Sequence, residues 1–149
     1  GLSGRMCCFD TLCNDKNITT VIGDGVILAT STGSTAYNLS AGGSMVHPQL
    51  PAILFTPLCP HSLSFRPVVL PSTVVLRITN SQEWGEQARV FFDGRNPTFL
   101  DPGDTVVIRI SSHPLNTVSE STDLTDWFTS LGDLLNWNVR KRQKPLGSL

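Results

Sequence analysis

The 149-residue chain lacks a surplus of charge of either sign, and it lacks any apolar run long enough to cross a bilayer. Its 11 Lys and Arg residues face 12 Asp and Glu residues, which gives a formal net charge of −1. This balance argues against a general nucleic-acid binder and against a polybasic membrane surface. A spanning helix needs about 20 consecutive apolar residues, and no segment approaches that length. We therefore expect neither nucleic acid nor membrane as a partner.

Metal-ligating side chains are also scarce. The four cysteines are Cys7, Cys8, Cys13 and Cys59, and they form no C-x-x-C pair of the kind typical of zinc sites. The segment Cys59–His61 places a rigid proline between its two candidate ligands, which is poor coordination geometry. The spacing resembles no compact disulfide framework either. We predict no metal site, buried reduced thiols and a reducing, cytoplasmic setting.

The middle of the chain has the pattern of β-strands. Short apolar runs and segments of period-two alternation are bounded by glycine and proline, and turn signals recur every eight to twelve residues or so. The dipeptide Asp93-Gly94 predicts a tight hairpin turn. Residues 1–118 are therefore predicted to form a mainly β domain, a sandwich or barrel. The expected strands are Gly25–Thr30, Ala52–Phe55, Val74–Thr79, Ala88–Phe92 and Val106–Ser111.

The C-terminal part, 119–149, has helical rather than strand periodicity. Apolar residues from Leu124 to Leu135 recur at a spacing of three and four, which predicts an amphipathic helix. Thr122 or Asp123 is the expected N-cap. The basic run Arg140–Lys144 is interpreted as a solvated tail that complements the helix dipole.

One segment stands out for its hydroxyl groups and glycines: Ser31–Gly43, "STGSTAYNLSAGG". A Walker phosphate loop is excluded because no lysine occurs between Lys16 and Lys141. A serine hydrolase is disfavoured because the segment does not match the G-x-S-x-G nucleophile elbow, and because His47 and His61 are more often packed or exposed than catalytic.

Two interpretations of this segment remain open from the residues alone. In the first, Ser34 and Thr35 cap a helix beginning near Ala36, whose free N–H groups suit a phosphate or hydroxyl-rich ligand. Tyr37, the single tyrosine of the chain, could then stack on a base. In the second, the segment is an ordinary capped helix that stops at Gly42-Gly43.

Four longer stretches resemble one known family. The segment Thr32–Gly43 resembles the dinucleotide-binding signature of the NAD kinases. The segment His47–Pro71, "HPQLPAILFTPLCPHSLSFRPVVLP", resembles the second characteristic block of the eukaryotic enzymes of this family. Phe91–Asn96 and the closing "DWFTSLGDLLNWNVRKRQK" also resemble that branch, and most closely its plant-type sequences. The resemblance extends from Ile18 to the C-terminus, and the combination of motifs is highly specific.

This resemblance implies a kinase that transfers phosphate from ATP to the adenosine 2′-hydroxyl of NAD and so makes NADP. Family members have an N-terminal α/β domain followed by an all-β C-terminal domain, and the chain corresponds to most of the second. The base of the family lies in a G-G-D-G-T motif, which Gly23-Asp24-Gly25 does not match. No catalytic residue is therefore expected within this chain, and the base would lie upstream of residue 1. A non-catalytic NAD-binding or regulatory fragment is the alternative.

The resemblance also carries over binding residues, position by position. Tyr37 is expected to stack on a ring of the dinucleotide, and Ser40 to hydrogen-bond a polar edge. Asp24 matches a family aspartate that holds NAD, often at the site of a neighbouring subunit. Ser31 replaces the usual proline of the family. The expected NAD-binding residues are Asp24, Thr35, Ala36, Tyr37, Asn38, Ser40 and Arg95.

Substrates and partners follow from the same resemblance. NAD and ATP are the expected substrates, with Mg²⁺ as the divalent metal and a homo-oligomer as the assembly of the full-length protein. The expected location is the cytoplasm, and a plastid location would require a transit peptide in an N-terminal region. Lipid kinases of the diacylglycerol or sphingosine type share the two-domain plan but lack these motifs, so they are disfavoured.

Overall fold

The computed structural model describes residues 6–83, 86–116, 118 and 123–139. Contacts divide the chain into two units, one ending at Ser112 and the other beginning at His113. The sequence-based boundary after residue 118 lies six residues further along. The first unit contains nine described strands: β1 Cys7–Cys13, β2 Lys16–Gly23, β3 Gly25–Thr30, β4 Ala52–Leu58, β5 Val68–Pro71, β6 Leu76–Asn80, β7 Ala88–Phe92, β8 Arg95–Leu100 and β9 Thr105–Ile108.

The strands of the first unit form two antiparallel sheets and a separate hairpin. The four-stranded sheet has the order β2-β1-β6-β9, the three-stranded sheet has the order β3-β4-β5, and β7 pairs with β8. The predicted mainly β fold is confirmed. The predicted turn at Asp93-Gly94 is also confirmed, because both residues have positive φ (50° and 72°) and join β7 to β8.

The hairpin formed by β1 and β2 is absent from the sequence-based prediction, whose first strand is Gly25–Thr30. Its turn is Asn14-Asp15, with φ angles of 47° and 63°. Asparagine and aspartate are the residues besides glycine that adopt this left-handed conformation most readily. The signal for the turn was thus present in the sequence, although without the glycine that makes it conspicuous.

One apolar core lies between the two sheets and the hairpin. Phe9, Val21 and Leu76 come from the four-stranded sheet, and Ile53 and Phe55 come from the three-stranded sheet. These residues pack as one cluster with Ala88 and Leu100 of the hairpin. Burial of each Phe, Leu, Ile or Val side chain stabilises the fold by about 2 kcal/mol, because its apolar surface is removed from water. The core is therefore shared by both sheets and the hairpin, and the sequence-based choice between sandwich and barrel stays a prediction.

The three-stranded sheet also buries apolar residues on its opposite face. Side chains alternate between the two faces of a strand, so Leu54 and Ala52 of β4 point away from Phe55. Together with Val46 they form a second, smaller cluster, against which Ala29 packs. Val46 belongs to the connection between β3 and β4, and this connection therefore lies on the outer face of the sheet.

The second unit contains one described helix, Asp126–Leu135. The predicted N-cap is wrong: Thr125 is the N-cap, and Asp123 instead accepts a hydrogen bond of 2.9 Å from the Thr125 amide, which lowers the pKa of Asp123. The helix is followed by its C-cap, Asn136, which is left-handed at φ 51°. Thr122 and Arg140–Lys144 lie outside the described residues. No helix in the described part of the chain is long and apolar enough to cross a membrane.

Candidate functional site

The connection from Ser31 to Val46, here called the 31–46 loop, begins with two short helical turns. A 3₁₀ turn, Thr32–Thr35, is followed by the one-turn helix α1, Tyr37–Ser40. The helix ends in a Schellman arrangement: the Gly43 amide donates to the Asn38 carbonyl (2.9 Å) and the Gly42 amide to the Leu39 carbonyl (3.0 Å). Gly42 has φ 82°, a conformation that glycine adopts without strain. The predicted stop at these glycines is confirmed.

The predicted capping by Ser34 and Thr35 is wrong. Ala36 is the N-cap of α1, and neither N-cap residue makes a side-chain capping hydrogen bond, although the Gly33 amide of the 3₁₀ turn donates to the Thr30 hydroxyl (3.2 Å). Ser34 is fully buried, and its hydroxyl donates to the Val46 carbonyl (3.1 Å) and accepts from the Val46 amide (3.0 Å). The Ser34 side chain therefore closes the loop by joining its beginning to its end.

Asn38 is the second buried polar residue of the loop. Its side-chain amide donates to the carbonyls of Ser34 (2.9 Å) and Ser44 (3.1 Å), and its side-chain oxygen accepts from the Thr56 hydroxyl (2.6 Å). Only 1% of Asn38 is exposed. Both amide hydrogens are thus bound by the protein, which makes the Asn38 side chain a support of the loop in this structure.

The other residues predicted for binding lie on the outer surface of the loop. Tyr37 is 65% exposed, Ala36 and Ser40 are also exposed, and Thr35 is half-buried. Burial of Tyr37 in the core would have argued against a ligand at this position. The structure instead presents an aromatic ring and a hydroxyl group on a loop whose interior is closed by hydrogen bonds.

Asp24 lies between β2 and β3 and is exposed. Its amide donates to the Leu58 carbonyl (2.9 Å), and its carbonyl accepts a weak hydrogen bond from the Cys7 thiol (3.6 Å). A hydrogen bond from the Cys59 thiol to the Asp24 carboxylate, together with the charge of that carboxylate, raises the pKa of Cys59.

Asp24 is close in sequence to the part of β3 beneath α1. Thr56, which contacts Asn38, is the register partner of Ile27. Asp24 precedes Ile27 by three residues, so it lies about 10 Å along the strand from the level at which α1 is anchored. Arg95 is further removed in the fold, as the exposed first residue of β8. The structure thus groups five of the seven predicted residues on one loop.

Metal ligands do not converge in the described residues, which contain no group of three or more His, Cys, Asp or Glu side chains able to hold an ion. The four cysteines are free thiols, but the predicted burial is wrong for Cys59, which is exposed, and Cys8 alone among the four is fully buried. A polar cavity of about 470 Å³ is lined by residues of the four-stranded sheet and its connections, among them Asp10, Thr20 and Glu83. None of its lining residues belongs to the 31–46 loop.

The family model for the ATP-NAD kinase C-terminal domain matches residues 1–120, which include the whole 31–46 loop. The chain belongs to this family. NAD kinase 2, chloroplastic, of Arabidopsis thaliana is 55% identical over 133 residues, which are 89% of this chain and 14% of that protein. Probable NAD kinase 1 of Oryza sativa subsp. japonica is 47% identical over 143 residues, 96% of this chain and 27% of that protein. The chain thus spans less than a third of these NAD kinases.

Solved structures of the family have the same fold. A yeast NADH kinase complexed with NADH matches 95% of this chain and 41% of its own, with a TM-score of 0.80 and 38% identity. An NAD kinase from Archaeoglobus fulgidus in complex with ATP matches 75% of this chain and 42% of its own, with a TM-score of 0.66 and 26% identity. The mainly β fold expected for an NAD kinase C-terminal domain is confirmed.

Thr56 is the member of the site that sequence reasoning missed. It is a fully buried residue of β4 and the hydrogen-bond donor to Asn38. The sequence signal was a hydroxyl residue inside the otherwise apolar run "AILFTPL". Because Thr56 shares a strand face with Leu54, it lies on the side of the sheet that the loop covers.

Proposed function

We propose that this chain is the dinucleotide-binding part of an NAD kinase, in which ATP phosphorylates the adenosine 2′-hydroxyl of NAD to give NADP. The observation that carries the proposal is the exposed Tyr37 on a loop closed from within, in a chain that belongs to the NAD kinase family. The complexes of two structural relatives with NADH and with ATP support the choice of ligands.

The role of the loop in such a reaction is to bind and orient the acceptor. Phosphoryl transfer depends mainly on alignment of donor and acceptor and on neutralisation of charge. The Tyr37 ring would stack on a ring of NAD, and the Ser40 hydroxyl and the backbone at Thr35 and Ala36 would hold polar edges. Asp24 and Arg95 are proposed as outer contacts, with Asp24 acting at the site of a neighbouring subunit in a homo-oligomer.

The described residues do not by themselves form a site for Mg²⁺, because no three metal-ligating side chains converge. We therefore derive no step through a metal. Gly23-Asp24-Gly25 does not match the G-G-D-G-T motif that would supply a base for the 2′-hydroxyl. A non-catalytic NAD-binding or regulatory role is therefore the second candidate for the residues described. Formation of NADP by the isolated chain with ATP would exclude that candidate.

Calorimetric titration of the chain with NAD tests the proposal. Replacement of Tyr37 by Ala should weaken binding about tenfold, since stacking of an aromatic ring on a base contributes about 1–3 kcal/mol. Tyr37→Phe should bind nearly as well as the wild type because it keeps the ring. Phe91→Ala, which removes another exposed aromatic ring on β7, is the matched control. Equal affinity of Tyr37→Ala and the wild type would refute the proposed stacking.

A further inference from the structure

The buried side of the 31–46 loop contains polar side chains in specific hydrogen-bonded positions. The loop contains two fully buried polar side chains, Ser34 and Asn38, and each is hydrogen-bonded only to groups of the loop or of β4 beneath it. A buried amide is costly unless its donors and acceptor are satisfied, and Asn38 satisfies all three functions at 2.6–3.1 Å. A loop that only connected two strands would not require this arrangement.

Among the described residues, Thr56 is the hydrogen-bond partner of the Asn38 side chain that lies outside the loop. The contacts to Ser34 and Ser44 tie parts of the loop to each other, whereas the contact to Thr56 ties the loop to the sheet. The sheet is the rigid element here, because β4 is paired on both sides, with β3 and with β5. The hydrogen bond between Asn38 and Thr56 thus joins α1 directly to the sheet.

Gly43 fits against the same amide. A Cβ atom at this position would lie 2.6 Å from the side-chain carbon and nitrogen of Asn38, closer than real Cβ contacts allow. Gly43 is itself buried and has no positive φ, so the reason for glycine here is space rather than backbone conformation. The chain therefore leaves room at Gly43 for the Asn38 side chain.

The orientation of Asn38 also determines what its neighbours present to solvent. Successive residues of an α-helix point about 100° apart, so a one-turn helix with Asn38 directed into the sheet must turn Tyr37 and Ser40 away from it. Both are exposed. A rotation of α1 about its axis would bury the ring or point it elsewhere, and the hydrogen bond to Thr56 opposes such a rotation.

We propose that Asn38 and Thr56 form a positioning pair, which fixes α1 on β4 so that Tyr37 and Ser40 face the dinucleotide. This inference rests on the proposed NAD-binding function. Neither residue of the pair touches ligand in this scheme. Loss of the pair lowers the fraction of molecules in which the loop is competent to bind, and the apparent affinity falls by that fraction.

The test compares three variants of the 149-residue chain. Thr56→Val keeps the shape of the side chain but removes the hydroxyl donor, and Thr56→Ser restores the donor. Thr79→Val is the matched control, because it removes a side-chain hydrogen bond of 2.8 Å to Thr105 on the other sheet. Circular dichroism first verifies the β fold of each variant. Binding of NAD is then measured by calorimetry, and protection of the loop amides by hydrogen exchange without ligand.

We expect Thr56→Val to raise the dissociation constant for NAD about fivefold or more, the effect of one lost hydrogen bond. Thr56→Ser should remain within about twofold of the wild type, and Thr79→Val should bind as the wild type does. Amides of Gly43 and Val46 should exchange faster in Thr56→Val alone. A purely structural role would lower stability in Thr56→Val and Thr79→Val alike and leave the affinity of folded molecules unchanged.

The two readouts separate this inference from the proposed function. Wild-type affinity in Thr56→Val, with unchanged exchange of the loop amides, would overturn the positioning role and leave NAD binding intact. A wild-type chain that does not bind NAD would overturn the proposed function and the ligand-orienting role with it. The exchange data would then still decide whether the pair holds the loop on the sheet.

Discussion

Substitution of Gly43 by Ala is a sharp test of how the loop is packed. The new methyl group would occupy the space of the Asn38 side-chain amide. Because Gly43 does not have a positive φ, the alanine backbone itself is not strained. The cost must come from displacement of the amide and loss of the hydrogen bonds that it makes with Ser34, Ser44 and Thr56.

The size of the effect follows from those three hydrogen bonds. Each contributes about 1 kcal/mol net, and a buried partner left unsatisfied costs about 1–3 kcal/mol, so Gly43→Ala should destabilise the chain by about 3 kcal/mol. Asn38→Ala should cost a similar amount, since it removes the same interactions. In the Asn38→Ala background the obstacle is gone, and Gly43→Ala should then cost less than about 1 kcal/mol.

The assay is a double-mutant cycle measured by urea unfolding, followed by circular dichroism in the far ultraviolet. The predicted coupling between the two positions is about 2 kcal/mol, well above the scatter of independent sites. Gly42→Ala is the control: it has open space around it and φ 82°, so it should cost about 1–2 kcal/mol with no coupling to Asn38. Additive effects of Gly43→Ala and Asn38→Ala would refute the packing argument.

Three further predictions concern the sheets and the thiols. Gly23→Ala should destabilise the chain by about 3 kcal/mol in urea unfolding, because its Cβ would lie 2.6 Å from a backbone carbonyl oxygen of β4. Gly25→Ala is the control and should be nearly neutral, because the nearest contact of its Cβ is a side-chain atom at 3.5 Å. Thr11→Val should raise the free energy of unfolding by about 1 kcal/mol, because the Thr11 hydroxyl is buried without a hydrogen-bond partner in the described structure. A lower midpoint of urea unfolding would show that this hydroxyl does have a hydrogen-bond partner. Asp24→Ala should lower the pKa of Cys59, because it removes the carboxylate that raises this pKa. Alkylation of the exposed Cys59 thiol near pH 8, followed by peptide mass spectrometry, should therefore become faster. An unchanged rate of alkylation would exclude the contact between Asp24 and Cys59.

The strands best predicted from the sequence are those with a clear local signal. Ala88–Phe92 and Gly25–Thr30 have the predicted boundaries, because alternation before a tight turn marks the first and a short apolar run entered through Gly-Asp-Gly marks the second. The run at Ala52 continues to Leu58 through Thr56 and Pro57, two residues that interrupt the apolar pattern. β5 was missed because its apolar run, Val68–Leu70, is only three residues long and lies between two prolines, so neither its length nor any alternation marks it.

The sequence motif predicted which loop forms the candidate site, and the tertiary structure corrected the roles of its buried polar residues. Sequence reasoning assigned the polar residues of the loop either to capping or to ligand contact, because both uses depend on short-range patterns. It could not foresee that Ser34 reaches Val46 and that Asn38 reaches Thr56, since these contacts span 12 and 18 residues. Such contacts depend on the loop lying on the outer face of the sheet, which only the tertiary structure reveals.

The polar side chains of the loop thus have two different roles: the buried ones support the loop, and the exposed ones are available to a ligand. A loop with few charges can bind a polar ligand only if its backbone and its small polar groups are already held in place, because each weak contact is easily outweighed by the entropy of ordering the loop. Ser34, Asn38 and Thr56 satisfy that condition from within, which leaves Tyr37 and Ser40 free to face outward. On this argument, substitutions at the buried positions should weaken NAD binding in proportion to the loss of loop protection, whereas substitution of Tyr37 should weaken binding with loop protection unchanged.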